Sequence, residues 1–409
     1  MKYFWLAVLA LTLPLLLAAD QFDRIRRPAG AGLLYPPEAD RLRAAIDQYL
    51  NEVEPIELPG PVVACIVPHS SLKACGSIVA GAVKPLRRGQ YDRVVLLAPA
   101  LFTEFRGCSI PAVQFYRTPL GDIELDGPAI RRVTMSSLIQ TRSVVYRMSA
   151  YTNPEVNRSP LHEREFAAEV VLPFLQVQLG TFKLVPIVVG DLERNLHIVD
   201  GKPNTALDEE AIKDIAQALK PVIDDRTLLV VCSEFTRYGA AYDFTPFNND
   251  IVRNIAELDM QAFNLIEARQ YTGFKTYLSD TGNPITGKLP ILIALRLLPR
   301  TSAGILTGYD VSARKTGNPS ASVSYASIAY IDGTRPIPEP VQTPAATPVP
   351  AVAPVPEEPA SPLVPAEPAT PLAPAESASP LVPAEPSGQA GSGATSSAAT
   401  EEETRAGSQ

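Results

Sequence analysis

The sequence predicts an α/β fold, with a largely buried central sheet flanked by helices, and three observations support that expectation. Short runs rich in β-branched residues recur at 62–67 (VVACIV), 93–99 (RVVLLAP), 184–191 (LVPIVVGD), 228–235 (LLVVCSEF) and 323–331 (VSYASIAYI). The first four are almost continuously apolar, which suits strands covered on both faces. Amphipathic helical patterns separate them, and strands alternating with helices imply a sheet flanked by helices. Setting aside two ends of biased composition leaves about 300 residues, ample for one large core or two fused halves.

The first element along the chain is an apolar leader. Residues 1–19 carry Lys2 followed by an almost wholly apolar run from Tyr3 to Ala19, then "LLAAD", where small residues suit a signal peptidase. The run is shorter than the roughly 20 residues a spanning helix prefers. A cleaved signal peptide is therefore expected over an N-terminal anchor, and with it a secreted, periplasmic or cell-envelope location. Membrane contact would come only through this segment, if it stays uncleaved.

A helix follows over 37–54, with Leu42, Ile46 and Leu50 on one stripe. The strand at 62–67 runs into "PHSSLKACG" (68–76), which opens a second helix and contains His69, one of only three histidines. Residues 163–179 (EREFAAEVVLPFLQVQL) read as a helix in which Pro173 should cause a kink. Residues 208–223 stack Ile212, Ile215, Ala216 and Leu219, with acids in the first turn where the helix dipole favours them. His197 is expected on an exposed loop.

From about Thr334 the composition changes. Residues 334–409 are dense in Pro, Ala and Glu, with nine-residue repeats at 361 (SPLVPAEPA), 370 (TPLAPAESA) and 379 (SPLVPAEPS). Prolines at that density stop helices and sheets, and so little apolar surface cannot offset the entropy of ordering. An extended, disordered spacer is expected.

Charge and cysteine usage exclude several functions. A net charge of -8 and the lack of a basic stripe argue against nucleic acid. Cys65, Cys75, Cys108 and Cys232 form no CxxC pair, and Cys65 and Cys232 sit in apolar strands as small buried hydrophobes. No phosphate loop and no Ser-His-Asp or Cys-His nucleophile set is visible.

Ligands in sheets of this kind bind beyond the carboxyl ends of the strands. His69, Glu234 and the loop after Pro99 all sit there. At these positions the order of segments resembles Memo-like proteins, the AmmeMemoRadiSam system protein B family. Pro68, His69 and Gly76 match that family's opening Pro-His-Ala-Gly-Tyr-x-Tyr-Ser-Gly motif. "TPLGD" (118–122), "LPFL" (172–175) and "VPIVVGD" (185–191) are intact. His162, Glu165 and Glu169 match a His-x-x-Glu-His-Ser-x-Glu helix, with Phe166 at its second histidine. Glu234 and Arg237 stand at an aspartate and a histidine, Leu101 stands at a second strand-end histidine, and Thr281 is aligned with the cysteine of a Cys-Gly pair that precedes an apolar helix. The resemblance covers residues 28–332 and implies a fold like that of class III extradiol dioxygenases.

The resemblance also implies a pocket in which histidines and a cysteine hold iron or copper. Of those ligands only His69 is retained, so no cofactor is expected. Leucine has no donor atom, arginine stays cationic and threonine is a poor ligand. The leading expectation is an exported, divergent member whose altered or non-catalytic pocket binds a small ligand or a partner through His69, Glu165, Glu234 and Arg237. A rebuilt iron or copper enzyme on His69, His162 and Glu234 is the alternative, since two histidines and a carboxylate can form a facial triad. An envelope scaffold is the third reading.

Overall fold

The computed structural model describes residues 25–54, 56–141, 161–199 and 202–336. The leader and nearly all of the Pro-rich tail lie outside these residues. The chain divides into two units, 1–345 and 346–409, and only the first contains described residues.

Among the described residues, six long strands build the centre of a nine-stranded sheet: β1 (Val62–Val67), β2 (Arg93–Pro99), β3 (Lys183–Val189), β4 (Thr227–Cys232), β5 (Ser302–Val311) and β6 (Ser322–Asp332). Their spatial order is β6-β1-β4-β2-β3, with β5 paired antiparallel to β6. Strands β1, β4, β2 and β3 run parallel, with Val231 opposite Ile66 on one side and Leu97 on the other. Two short strands, Cys108–Ser109 and Ile139–Gln140, extend the β3 edge, and Arg237–Tyr238 extends the β6 edge.

The two-residue period of a strand sorts each apolar run onto two faces. Cys65, Val67, Leu96, Val230 and Cys232 point to one core, beneath α1 (Ala39–Glu52), α2 (Leu72–Val83) and α3 (Val171–Leu179). Ala64, Ile66, Leu97, Leu229 and Val231 point to the other, beneath α4 (Glu209–Leu219), α5 (Ile251–Glu267), α6 (Tyr271–Thr281) and α7 (Lys288–Leu297). The expected sheet between helical layers is what forms. All four cysteines are buried and free, and burial pushes the Cys65 thiol up to about 12.

Two local expectations are corrected. The stretch 163–179 is not one kinked helix: Leu161–Glu163 forms a 3-10 turn, and the α-helix starts at Val171. Pro173 therefore lies in the first turn of α3, where its missing N–H has no partner to lose. His197 lies in a strand, Glu193–Val199, paired with Asn204 of the next strand, rather than in a loop.

A buried ion pair closes the N-terminal end of the fold. Arg26 Nη1 meets Glu169 Oε1 at 2.8 Å, with both side chains 1% exposed. The guanidinium lies 4.4 Å from the Tyr116 ring centroid and donates to the carbonyls of His162 and Glu165. Glu169 also accepts the backbone N–H groups of Ala29 and Gly30 and the Tyr35 hydroxyl. Removing one partner of such a pair strands a charge in the core. Glu169→Gln should therefore lower unfolding stability by about 3 kcal/mol, read as a fall in urea midpoint. A loss below about 1 kcal/mol would show that the pair is not needed.

Candidate functional site

The parallel strands end side by side, and the site is built on those ends. After β1 the chain turns at Pro68-His69, and Ser71 caps α2 by accepting the Ala74 N–H. Gly76 faces the Tyr49 ring so closely that a Cβ would lie 2.5 Å from Cε2, which explains a glycine where α1 crosses α2. After β4 the turn Ser233–Thr236 carries Glu234, and Arg237 begins the short edge strand.

Three sequence-predicted residues meet here. His69 Nδ1 is 3.8 Å from Glu234 Oε1, and Glu234 Oε2 is 3.7 Å from Arg237 Nε. His69 is buried, and desolvation, aided by the Arg237 charge, holds its pKa below the ordinary value against the pull of Glu234. The Arg237 side chain is about a third exposed, and its guanidinium stacks 4.4 Å from the Tyr242 ring centroid. Its Nε is buried without a hydrogen-bond partner among the described residues.

Thr286 completes the cluster and was missed in the sequence. Its Oγ1 lies 3.0 Å from His69 Nε2 and accepts the Glu234 backbone N–H at 3.0 Å. Thr281, aligned above with the family cysteine, instead donates to the Tyr277 carbonyl at the end of α6. Thr286-Gly287 is the pair that directly precedes an apolar helix, α7, so the Cys-Gly order that the resemblance implies fits Thr286 rather than Thr281. The signal was present: "ITGKLPI" (285–291) repeats the Cys-Gly-then-helix order with threonine as the only change of donor.

Beneath the turn, Asp259 is wholly buried and accepts the Thr236 N–H and hydroxyl and the Tyr309 hydroxyl. Asn283 donates to Thr236 Oγ1 at 2.7 Å. Burial raises the Asp259 pKa despite these donors. Asp259 and Thr236 thus hold the backbone from which Glu234 and Arg237 project.

His162 and Glu165 do different work. His162 Nε2 meets Ser109 Oγ at 3.2 Å, and burial and Arg26 pull its pKa from 6.5 to about 3. Glu165 accepts the N–H groups of Leu101, Phe102 and Thr103 at 2.7, 3.0 and 2.9 Å, and the Thr103 hydroxyl at 2.6 Å. Its carboxylate is filled by the chain itself, shaping the loop after β2 instead of facing a ligand. Neither residue is a solvent-side group of a helix: both are buried.

Comparison with known proteins fits this architecture. A family profile described as Memo-like protein matches residues 26–329. The chain belongs to the Memo-like family. It is similar to Protein memo-1 homolog of Caenorhabditis elegans, at 26% identity over 321 residues, covering 75% of this chain and 82% of that protein. It is also similar to Protein MEMO1 of Mus musculus, at 25% over 280 residues (67% and 84%), and of Danio rerio, at 25% over 319 residues (75% and 97%).

The donor set of this Memo-like chain does not fit iron or copper. His69 and Glu234 supply two donors, while Leu101, Arg237 and Thr286 fill the other positions, and the guanidinium beside Glu234 competes for its carboxylate. Among the described residues, His69, His162 and Glu234 do not come together as a triad, and His162 meets Ser109 instead. No group of three His, Cys, Asp or Glu side chains among the described residues is placed to hold a metal.

Two predictions follow from this geometry. A Cβ on Gly287 would lie 2.3 Å from Ser233 Cβ and 2.6 Å from the Cys232 carbonyl oxygen. Gly287→Ala should cost about 1–3 kcal/mol by denaturant titration; an unchanged midpoint would contradict the close approach. His162 has a folded pKa below its unfolded one, so between about 3 and 6.5 the unfolded chain binds more protons. Its contribution is complete above pH 6.5 and is lost as pH falls. The urea midpoint should drop from pH 7 to pH 5, and less steeply in His162→Gln.

Proposed function

We propose that this chain is an exported Memo-like protein whose pocket binds a small anion of the carboxylate or phosphate class without a metal, with the Pro-rich tail as a spacer or adaptor. One observation carries the reading. Arg237 stands where the family has a histidine, braced by Glu234 and Tyr242, and no hydrogen bond from its guanidinium to a described residue is present. A planar guanidinium held in this way offers a fork to an oxyanion. Neutral His69 and the Thr286 hydroxyl add polar partners without adding negative charge. Export rests on the apolar leader.

The test is thermal unfolding of the full chain with phosphate or citrate, beside elemental analysis. A ligand at 100 times its Kd stabilises by about 2.7 kcal/mol, a rise on the order of 5 °C. That rise should vanish in Arg237→Ala. No rise with any anion would favour the scaffold reading, and stoichiometric iron or copper that disappears in His69→Ala would overturn the metal-free one.

A further inference from the structure

Thr286 has a partner order that its family position does not require. Its oxygen accepts the Glu234 N–H at 3.0 Å, so its own proton must go elsewhere. The nearer acceptor is His69 Nε2 at 3.0 Å; the Glu234 carbonyl lies at 3.4 Å. Nδ1 lies 3.8 Å from the Glu234 carboxylate, and a tautomer protonated on Nδ1, with Nε2 accepting from Thr286, fits this arrangement. Burial keeps that imidazole neutral, the form a base needs. Thr286 itself is only half-buried, and α7 begins two residues later, placing the positive end of its dipole near the hydroxyl.

We propose that Thr286 is an acyl-accepting nucleophile, with His69 as its general base and Glu234 orienting the imidazole, acting on activated esters of small carboxylic acids that carry a second, anionic end. A hydroxyl, a base within hydrogen-bond reach and a group that orients the base are the parts that nucleophilic acyl transfer needs. In the first step the Thr286 proton moves to His69 Nε2, and Oγ1 bonds to the acyl carbon. The bond from that carbon to the leaving oxygen breaks, and His69 returns the proton to the departing alkoxide. Water, deprotonated by the same imidazole, then cleaves the Thr286 ester, releasing the acid and restoring the hydroxyl. Arg237 would hold the far carboxylate, and only this part rests on the anion-pocket reading.

The experiment uses the full chain with 4-nitrophenyl acetate and the anionic mono-4-nitrophenyl glutarate. Nitrophenolate release should accompany an acyl mass on the peptide 276–288, localised to Thr286 by fragmentation. Thr286→Ala should lose both signals, Thr286→Ser should keep the adduct, and His69→Gln should slow release on the order of 100-fold. Arg237→Ala should lower turnover of the glutarate ester more than that of the acetate ester. Circular dichroism and urea midpoints confirm that each variant is folded. An absent adduct, or release unchanged in Thr286→Ala, overturns the nucleophile. Phosphate stabilisation measured on the same samples reports the anion pocket separately: it persists in Thr286→Ala if only the nucleophile fails. Acylation without any phosphate stabilisation would uphold the nucleophile and reject the pocket.

Discussion

The parallel run of β1, β4 and β2 is the constraint on which everything at the site depends. Parallel neighbours in register end together, so Val67, Cys232 and Pro99 deliver their following residues to one edge of the sheet. His69 and Glu234 are 165 positions apart in sequence (234 − 69), yet β4 lies directly beside β1. Thr286 then reaches them because Gly287 has no side chain and can press against Ser233. The chemistry of the cluster follows from strand order and one missing methyl group.

The carboxylates sort into two kinds of work. Glu165, Glu169 and Asp259 are buried and filled by donors of the chain itself, and each fixes a segment: the loop after β2, the N-terminal strand, and the turn bearing Arg237. Among the described residues, the Glu234 carboxylate oxygens have an imidazole and a guanidinium near them and no donor at hydrogen-bond distance. Motifs such as "LPFL" and "TPLGD" belong to the frame rather than to the site. Leu172, Phe174 and Leu175 belong to the core, and the Thr118 hydroxyl binds Gln176 of α3 at 2.5 Å, tying the 115–124 hairpin to that helix.

Most of the sheet was legible in the sequence because a strand covered on both faces is written as an unbroken apolar run. β1 and β2 match their runs residue for residue, and β3, β4 and β6 differ by at most three positions at an end. Less was legible where contacts are long-range. The 163–179 pattern hid its turns because apolar residues continue through 164–170, ahead of the helix that starts at Val171, and proline in a first turn looks the same on paper as proline in a kink. His69, Glu234 and Arg237 were found by position, whereas Asp259 carries no local pattern that separates it from other aspartates. The near-repeat "TGNP" and "ITGK" puts a threonine ahead of a glycine at 281 and again at 286, and the helix start at Lys288 together with the contact to His69 singles out Thr286.

The clamp around Arg26 also bears on which part of the domain can open first. Its guanidinium holds the carbonyls of His162 and Glu165 as well as the Glu169 carboxylate, all far along the chain. The start of a domain is ordinarily where fraying begins. Here the residues around Arg26 cannot peel away without uncovering a charge on both sides of the break. The start of the domain and the segment leading into α3 therefore open together or not at all.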